Sequence, residues 1–232
     1  MKVIGLLGGM SWESTVEYYR IINRAVRGIL GGQHSAKTLL YSVDFGEVEV
    51  LQREGRWREA DALMVECALR LERGGADFIV LCTNTMHKCA PAIESRVGLP
   101  LLHIADATAE RVKAAGVRRV GLLATRFTME DDFYTRRLAE RHGIDAVVPD
   151  KADRDLVHRV IYEELCRGEV RAESKGEYLR IMDGLAAQGA EAIILGCTEI
   201  TLLVQPGETP HTLFDTTRIH AEAAVAAALG NY

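Results

Sequence analysis

Two short polar stretches of this chain hold the residue types that proton-transfer chemistry needs. The first, VLCTNTMH at residues 80–87, contains a cysteine, an asparagine and two threonines at the end of an apolar run. The second, GCTE at residues 196–199, places Cys197 directly after another apolar run. A thiolate can act as a general base near neutral pH, and neighbouring hydroxyl and amide groups can stabilise developing negative charge. Both stretches are therefore candidate walls of an active site, although polar turns also simply end strands.

The segments around the two stretches resemble each other, which indicates an internal duplication. Setting GADFIVLCTNT, residues 75–85, above GAEAIILGCTE, residues 189–199, aligns a glycine, an acidic residue, an isoleucine and a leucine in each copy. A second match sets IGLLGG, residues 4–9, above VGLLAT, residues 120–125. The offsets of 114 and 116 residues are nearly equal, as expected for two copies of one unit.

In this alignment Thr83, and not Cys82, lies opposite Cys197. Because side chains alternate along a strand, Cys82 and Thr83 are expected to point to opposite sides. Ligands of open α/β sheets bind beyond the carboxyl ends of the strands, where both turns lie. Two such turns facing each other would hold a small molecule between groups that remove and return a proton on opposite faces of one carbon. Thr198 and the helix after it are expected to lower the pKa of the Cys197 thiol; a buried, inert thiol is the alternative.

The rest of the chain alternates short apolar runs with amphipathic segments, a pattern typical of α/β proteins with parallel sheets. Strands are predicted over residues 2–8, 38–43, 77–82 and 99–104 of a first half, and 119–125, 145–149, 191–197 and 211–215 of a second. Helices are predicted over residues 14–30, 57–73, 105–115, 130–141, 153–166, 175–188 and 216–229. The first domain is therefore predicted over residues 1–104, with a C-terminal helix at 216–232 packing back on it, and the second over 105–215.

Composition excludes several classes of protein. The 232 residues carry 28 Lys and Arg against 33 Asp and Glu, so there is no basic footprint for nucleic acid. The longest early apolar run, residues 3–10, is too short for a membrane span and lacks a cleavage site, so a cytoplasmic protein without a membrane partner is expected. The five scattered cysteines are expected to be reduced thiols, and no CxxC, HExxH or histidine cluster indicates a metal site.

Three stretches, GLLGGMSWEST at residues 5–15, CTNTMH at 82–87 and GCTEI at 196–200, resemble the aspartate/glutamate racemase family, in particular its broad-specificity amino-acid racemase branch. The resemblance extends from Lys2 to the terminal helix. It implies two similar α/β domains related by a pseudo-twofold axis, each a parallel sheet flanked by helices, with the site at the domain interface. It also implies a homodimer, no cofactor, and two cysteines acting as acid and base at the α-carbon of an amino acid, one of them Cys197.

The chain departs from the family pattern in the first turn. Members carry Cys-Asn-Thr there, but the aligned triplet is Thr83-Asn84-Thr85, with Cys82 one residue too early. A threonine hydroxyl is a poor base without an activating partner, so Thr83 in the place of the second cysteine makes the pair unequal. Either Thr83 relays a proton through water, or a small backbone shift brings Cys82 into the site, which side-chain alternation disfavours.

Further site residues follow from the same resemblance, position by position. Asn84, Thr85 and Thr198 are expected to hold the substrate carboxylate and to stabilise enolate-like charge. Glu199 is expected to orient the substrate ammonium or a neighbouring group. Residues after the first strand of each half are expected to line the cleft: Met10, Ser11 and Thr125.

Acidic-substrate members of the family use two cations that this chain lacks. The resemblance places Gln52 near the position of their arginine, in DFGEVEVLQREGRW at residues 44–57, a segment interpreted as a loop. It places Cys166 near the position of their lysine. The loss of both argues against strict aspartate or glutamate selectivity, unless Arg53 or Arg167 compensates.

The prediction is a cofactor-independent amino-acid racemase whose only expected partner besides a second copy is its small-molecule substrate, an amino acid with an unspecified side chain. Two alternatives stay open. One is an amino-acid-binding protein that has lost half of its catalytic pair, and the other is a related isomerase or decarboxylase acting on another small carboxylate.

Overall fold

The computed structural model describes residues 1–230, and residues 231–232, the end of the predicted helix at 216–232, lie outside the described part. The chain divides into two compact units. Unit 1 contains Met1–Ile104 together with the chain from His220 onward, and unit 2 contains Ala105–Ile219.

Unit 1 is an α/β unit with parallel strands. Its strands are β1 Ile4–Gly8, β2 Thr38–Ser42, β3 Phe78–Leu81 and β4 Leu101–Leu102, which form one sheet in the order β2-β1-β3-β4 over the described residues. Its helices are α1 Trp12–Leu30, α2 Phe45–Arg53, α3 Trp57–Arg73 and α4 Ala90–Arg96, with a 3₁₀ helix at Thr85–Cys89.

Unit 2 repeats this arrangement. Its strands are β5 Arg119–Ala124, β6 Asp145–Val147, β7 Ala192–Gly196 and β8 Leu213–Asp215, ordered β6-β5-β7-β8 in the described residues. Its helices are α5 Ile104–Ala114, α6 Arg126–Glu130, α7 Asp132–His142, α8 Lys151–Glu163, α9 Ala172–Ala187 and α10 Ile200–Leu203, with a 3₁₀ helix at Leu165–Arg167. The last helix, α11 Thr216–Leu229, begins in unit 2 and ends in unit 1.

The core of unit 1 lies on both faces of its sheet. Side chains alternate along β1, so Leu7 packs with the α2 and α3 side, where Met64 is buried. Leu6 packs on the opposite face with Tyr18 of α1 and Val225 of α11. Buried on both faces, the central strands read as continuous apolar runs, which is typical of parallel sheets.

The strand register of the two units repeats in the same way as the sequence. An offset of 116 carries Ile4 onto Val120, and an offset of 114 carries Phe78 onto Ala192. Ile4 pairs with Phe78 in unit 1, and Val120 pairs with Ala192 in unit 2. The predicted fold class, two similar α/β halves each with a parallel sheet flanked by helices, is therefore confirmed.

One predicted loop is a helix in the structure, and two short helices were not predicted. The segment interpreted as a loop at residues 44–57 contains α2, whose first turn is capped by the Asp44 carboxylate accepting from the Gly46 N–H. The helices α4 and α6 are also absent from the prediction. Among the described residues, no helix combines the length and apolar character needed to cross a membrane.

Candidate active site

In unit 1 the candidate residues follow the two central strands. Leu7 of β1 pairs with Leu81 of β3, and the Cys82 N–H donates to the Leu7 carbonyl at 2.9 Å. The chain therefore leaves both strands at the same edge of the sheet. The turns beyond them contain Ser11 on one side and Thr83 on the other.

The turn after β1 depends on a glycine with a positive φ. Gly9 has a φ of 95°, and a Cβ there would lie 2.3 Å from the Val43 carbonyl oxygen. The Gly9 N–H donates to Thr15 Oγ1 at 2.8 Å, and the same hydroxyl donates to the Ser11 carbonyl at 2.9 Å. Ser11 Oγ accepts from the Ser14 N–H, so Ser11 is the N-cap of α1. This local network fixes the backbone of the GGMS turn.

Cys82 and Thr83 lie in different surroundings, as side-chain alternation predicts. Cys82 is fully buried in the cluster of Leu6 and Val80, and its thiol lies 3.7 Å from the Val80 carbonyl. Burial raises the pKa of this thiol well above its ordinary value. Thr83 is only partly buried. In the unit as described, Thr83 is therefore accessible where Cys82 is not.

His87 holds the backbone of Thr83, a role that the sequence did not indicate. The Ile104 N–H donates to His87 Nε2 at 3.2 Å, so that nitrogen carries no proton in this arrangement. His87 Nδ1 must then be the protonated nitrogen, and it donates to the Thr83 carbonyl at 2.6 Å. The ring is 1% exposed, and its centre lies 4.5 Å from that of the His103 ring, with the two ring planes tilted by 59°. The first turn is thus anchored by a neutral, buried imidazole.

The other predicted residues of unit 1 are buried around this turn. Asn84 and Thr85 lie at the start of the 3₁₀ helix and are nearly inaccessible. Met10 packs into the core on the α2 and α3 side. Gln52 lies in the last turn of α2, and its amide donates to Met86 Sδ at 3.1 Å. Met10 and Gln52 are therefore packing neighbours of the turns.

In unit 2 the candidate residues follow the equivalent pair of strands. Ala124 of β5 pairs with Gly196 of β7, so Thr125 and Cys197 are the first residues beyond neighbouring strands. The Thr125 and Thr128 hydroxyls lie 3.3 Å apart at the start of α6. Cys197 thus occupies the position in unit 2 that Thr83 occupies in unit 1, two residues beyond the aligned leucine of β7 or β3.

The Cys197 thiol is held as a thiol, contrary to the expectation of a lowered pKa. Its S–H donates to Glu199 Oε2 at 3.0 Å, and the residue is 9% exposed. Burial, with the nearby Glu199 carboxylate and Cys166 thiol as further causes, raises its pKa well above the ordinary value. The helix α10 has only four residues, so its dipole offers little compensation. The sequence showed the glutamate but not the direction of its side chain.

Two threonines at the start of α11 support the second turn, although neither was predicted as a site residue. Thr217 Oγ1 donates to Thr198 Oγ1 at 3.1 Å. Thr216 Oγ1 donates to the Leu195 carbonyl at 2.8 Å, at the end of β7. The two consecutive threonines after Asp215 were the sequence signal that could have indicated this role. Hydroxyls at the start of a helix can form hydrogen bonds with another segment of the chain.

The two arginines considered for substrate binding, Arg53 and Arg167, lie in different surroundings. Arg53 pairs with Glu49 on the exposed surface of α2. Arg167 lies in the 3₁₀ helix beside Cys166, and Cys166 is close enough to Cys197 to influence its ionisation. Within residues 1–230, no group of three or more His, Cys, Asp and Glu side chains is arranged to hold a metal ion.

Comparison with known proteins gives a consistent result along the chain. A family model described as Asp/Glu/Hydantoin racemase matches residues 7–224. A solved structure from Yersinia pestis, described as a candidate Asp/Glu racemase, is 55% identical with a TM-score of 0.93, covering 99% of this chain and 100% of that one. An aspartate racemase homologue from Pyrococcus horikoshii is 33% identical with a TM-score of 0.85 over the same shares of both chains.

A curated relative extends this likeness to an enzyme of named activity. The chain is 21% identical to a broad-specificity amino-acid racemase of Bacillus subtilis (strain 168), over 96% of each sequence. The family predicted from the three stretches of sequence is confirmed by these matches. The chain belongs to the Asp/Glu/hydantoin racemase family.

Proposed function

We propose that this chain is a cofactor-independent amino-acid racemase that inverts the α-carbon by removing the α-proton from one face and adding a proton on the other. The observation that carries the proposal is the equivalent placement of Thr83 and Cys197, each in the turn beyond a central strand of a unit with the same topology. We further propose that both turns act on the same substrate molecule. Its α-carbon would then have a thiol on one face and a hydroxyl on the other.

Cys197 is the proposed base for the L-enantiomer. The thiol first loses its proton to solvent, and the thiolate then takes the α-proton, so that one C–H bond breaks and one S–H bond forms. Burial disfavours the thiolate in the free protein, and only the ionised fraction reacts. The rate at which Cys197 removes the α-proton is therefore expected to rise with pH.

Thr83 is the proposed partner on the opposite face. The Thr83 hydroxyl gives its proton to the α-carbon, so that one O–H bond breaks and one C–H bond forms. Water then returns a proton to the threonine oxygen, and the hydroxide that remains is neutralised by the proton that Cys197 released to solvent. An unactivated hydroxyl is a weaker base than a thiolate, so removal of the α-proton from D-substrates is slower. His87, through the Thr83 carbonyl, keeps this turn in place without touching the substrate.

The remaining residues are proposed to bind the substrate. Asn84, Thr85 and Thr198 hold the carboxylate and stabilise the enolate-like charge, with Thr198 oriented by Thr217. Glu199 contacts the ammonium while it faces Cys197. The walls beside the substrate are proposed to be formed by Ser11 and Thr125, with Met10 and Gln52 supporting the turns from the core.

We propose broad rather than strictly acidic substrate selectivity and a cytoplasmic location. An amide at Gln52 and a thiol at Cys166 cannot clasp a side-chain carboxylate as two cations would. The curated relative from Bacillus subtilis is itself named a broad-specificity racemase. All five cysteines are free thiols, which supports a reducing compartment.

A second candidate, an amino-acid-binding protein without turnover, is favoured by one observation. The only thiol of the proposed pair, Cys197, has a raised pKa, and its partner is a threonine. Such a protein would bind an amino acid without exchanging its α-hydrogen. A third candidate, acting on another carboxylate, would release a different product.

Incubation with single amino acids in heavy water separates the three candidates. We expect deuterium at the α-carbon together with the opposite enantiomer, read by mass spectrometry after chiral chromatography. Cys197→Ser is expected to abolish both signals while leaving the circular dichroism spectrum and ligand affinity largely intact. Binding without exchange would support the second candidate, and a product other than the opposite enantiomer would support the third.

A further inference from the structure

A cavity of about 400 Å³ lies between the C-terminal half of α1 and the loop that leads into β2. Its helix side is lined by Tyr19, Arg20, Arg24 and Arg27, and its loop side includes His34. In a parallel βαβ unit the helix returns toward the edge of the sheet where the next strand begins. The cavity therefore lies on the side of unit 1 away from the turns that hold the candidate catalytic residues.

Hydrogen bonds hold the two walls of this cavity together. Asn23 Oδ1 accepts from the Ala36 N–H at 3.0 Å, so the loop is attached to the helix. Asn23 Nδ2 donates to the Tyr19 carbonyl at 2.8 Å, which fixes the orientation of the amide. At the end of the helix the Gly31 N–H donates to the Arg27 carbonyl at 2.8 Å, and the φ of 73° at Gly31 turns the chain toward the loop. The shape of the cavity is thus set by the protein itself.

The cavity is lined by positive charge without a compensating acid. None of its eight lining residues in the described part of the chain is Asp or Glu, and three are arginines. Residues 18–43 contain four Lys and Arg and no Asp or Glu, although the whole chain has a net charge of -5. Within residues 1–230, Arg24 and Arg27 form no ion pair, whereas Arg20 pairs with Glu17. The region is therefore a cationic exception in an acidic protein.

These charges match an anion that carries about two negative charges. Arg24 and Arg27 are three residues apart, so their side chains are neighbours on the helix surface and can reach one group. The C-terminal end of α1 opposes an anion, but a helix end carries only about half an elementary charge. A phosphate monoester carries about 1.5 to 2 negative charges at pH 7, and a guanidinium group binds phosphate oxygens through two parallel hydrogen bonds.

The cavity has room for more than a phosphate group. Its volume falls within the range of about 300–1,000 Å³ that is usual for small-molecule sites. Tyr19 lines the cavity and is 52% exposed, so a planar group of a ligand can lie on its ring. Tyr19 lies about 8 Å along the helix axis from Arg24, which is comparable with the separation of base and phosphate in a nucleoside monophosphate.

We propose that this cavity binds a small organic phosphate monoester, with the phosphate between Arg24 and Arg27 and a planar ring of the ligand on Tyr19. A nucleoside monophosphate has this combination of groups. Further hydrogen-bond donors are supplied by three residues of the loop: Gln33, His34 and Ser35.

The proposed site is separate from the proposed racemase site. Arg24 lies about 20 Å along the axis of α1 from Ser11, which caps the other end of the helix. The proposal therefore goes beyond the racemase function and does not depend on it. Its readout is binding of a phosphate compound, so failure of one proposal leaves the other testable.

Isothermal titration calorimetry of the purified chain tests the proposal. The probes are the monophosphates of adenosine, guanosine, cytidine and uridine, together with inorganic phosphate and unphosphorylated adenosine. At least one nucleoside monophosphate is expected to bind about tenfold or more tightly than inorganic phosphate, because it also contacts Tyr19. Adenosine is expected to give no measurable binding, and added sodium chloride is expected to weaken the nucleotide.

Single substitutions separate the two parts of the site. Arg24→Gln and Arg27→Gln are each expected to weaken the nucleotide and inorganic phosphate by about tenfold or more, because each removes a charged donor. Tyr19→Leu is expected to weaken the nucleotide alone and to leave the affinity for inorganic phosphate unchanged. Arg58→Gln is the matched control, because Arg58 is an exposed arginine of α3 in the same unit and does not line the cavity.

Melting curves should show that every variant remains folded. Absence of binding by all four nucleoside monophosphates at millimolar concentration overturns the proposal. Binding that Arg58→Gln weakens as much as Arg24→Gln and Arg27→Gln do also overturns it, because the anion would then be held by general surface charge. A nucleotide that binds no more tightly than inorganic phosphate, or that Tyr19→Leu leaves unaffected, overturns the assignment of the ring to Tyr19.

Discussion

Cys197 is surrounded by groups that oppose its ionisation, and the proposed chemistry must operate against them. Its thiol is nearly inaccessible and donates to the Glu199 carboxylate at 3.0 Å. Burial and the negative charge of Glu199 both raise the pKa of the thiol. The thiolate fraction near neutral pH is therefore small, and the rate of α-proton removal from L-substrates should increase as the pH rises.

Replacing Glu199 with glutamine should move this pH dependence. Glutamine keeps a hydrogen-bond acceptor but removes the negative charge, so the pKa of Cys197 should fall although burial continues to raise it. We expect the alkaline limb of the exchange rate on L-substrates to shift to lower pH. The measurement is kcat/KM for deuterium exchange across the alkaline range, with exposed Glu208→Gln as the control. A shift to higher pH would show instead that the carboxylate accepts the thiol proton during turnover.

Removing the Cys82 thiol should affect stability and not chemistry. Cys82 is buried in the core with Leu6 and Val80, and its sulfur contacts a backbone carbonyl. Cys82→Ala is expected to lower the free energy of unfolding by about 1 kcal/mol, measured in urea, while L-substrate activity stays within a few-fold. An inactive Cys82→Ala variant that remains folded would mean that the first turn shifts during turnover and that Cys82 is the partner of Cys197.

At the residue scale, the sequence predicted which side chains share a face better than it predicted their hydrogen bonds and pKa shifts. Side-chain alternation was enough to separate Cys82 from Thr83, because that rule is local. The predicted lowering of the Cys197 pKa was wrong. The actual shift depends on where the Glu199 side chain points and on burial by residues that are distant in sequence. The roles of His87 and Thr217 were missed for the same reason: each bonds to a turn that only the fold brings near.

At the scale of elements, one buried histidine of α11 forms hydrogen bonds with two other parts of unit 1. His220 Nε2 lies 2.8 Å from the Leu102 carbonyl, so it carries the proton, and Nδ1 accepts from the Tyr18 hydroxyl at 2.8 Å. The groups that face the ring are thus Tyr18 of α1 and, at 5.7 Å between ring centres, His87. Burial lowers the pKa of His220 from 6.5 to about 4, so the ring is neutral at pH 7.

Acid should therefore weaken the fold through His220. Between pH 6.5 and about 4 the unfolded chain binds a proton at this residue and the folded chain does not, so stability is lost as the pH falls through that window. The contribution is about 3 kcal/mol. His220→Gln should be less stable at pH 7 and should lose correspondingly less on acidification, measured by urea unfolding. Exposed His34→Gln is the control, and equal pH dependence of the His220→Gln variant and the unmodified chain would contradict the assignment.

The elements themselves were predicted well where hydrophobic periodicity was strong. The central strands and the long helices were found because their apolar runs are continuous or recur at helical spacing. The helix α2 was missed because the alternating EVEV of its sequence resembles a strand and because the segment was matched to a loop of the family. Only two residues of the predicted strand at 99–104 form β4, because α5 begins at Ile104.

For the molecule as a whole, the duplicated architecture contrasts with the unequal pair of groups that we propose to react. Both units share strand order and register, yet one presents Thr83 where the other presents Cys197. Duplication alone would produce equal treatment of the two enantiomers, because equal groups would act on the two faces of the α-carbon. Because one copy has a threonine where the other has a cysteine, the rates for the L- and D-enantiomers are expected to differ.

The most direct test of this account is the initial rate of α-deuterium wash-in measured separately for the L- and D-enantiomers of one accepted amino acid. The unmodified chain is expected to exchange the L-enantiomer faster, because the Cys197 thiolate is the stronger base. Thr83→Cys is expected to raise the rate for the D-enantiomer and to narrow the ratio, with Cys82→Ala as the control that leaves the ratio unchanged. Equal rates for both enantiomers in the unmodified chain, or no gain in D-exchange with Thr83→Cys, would contradict the pairing of Thr83 with Cys197.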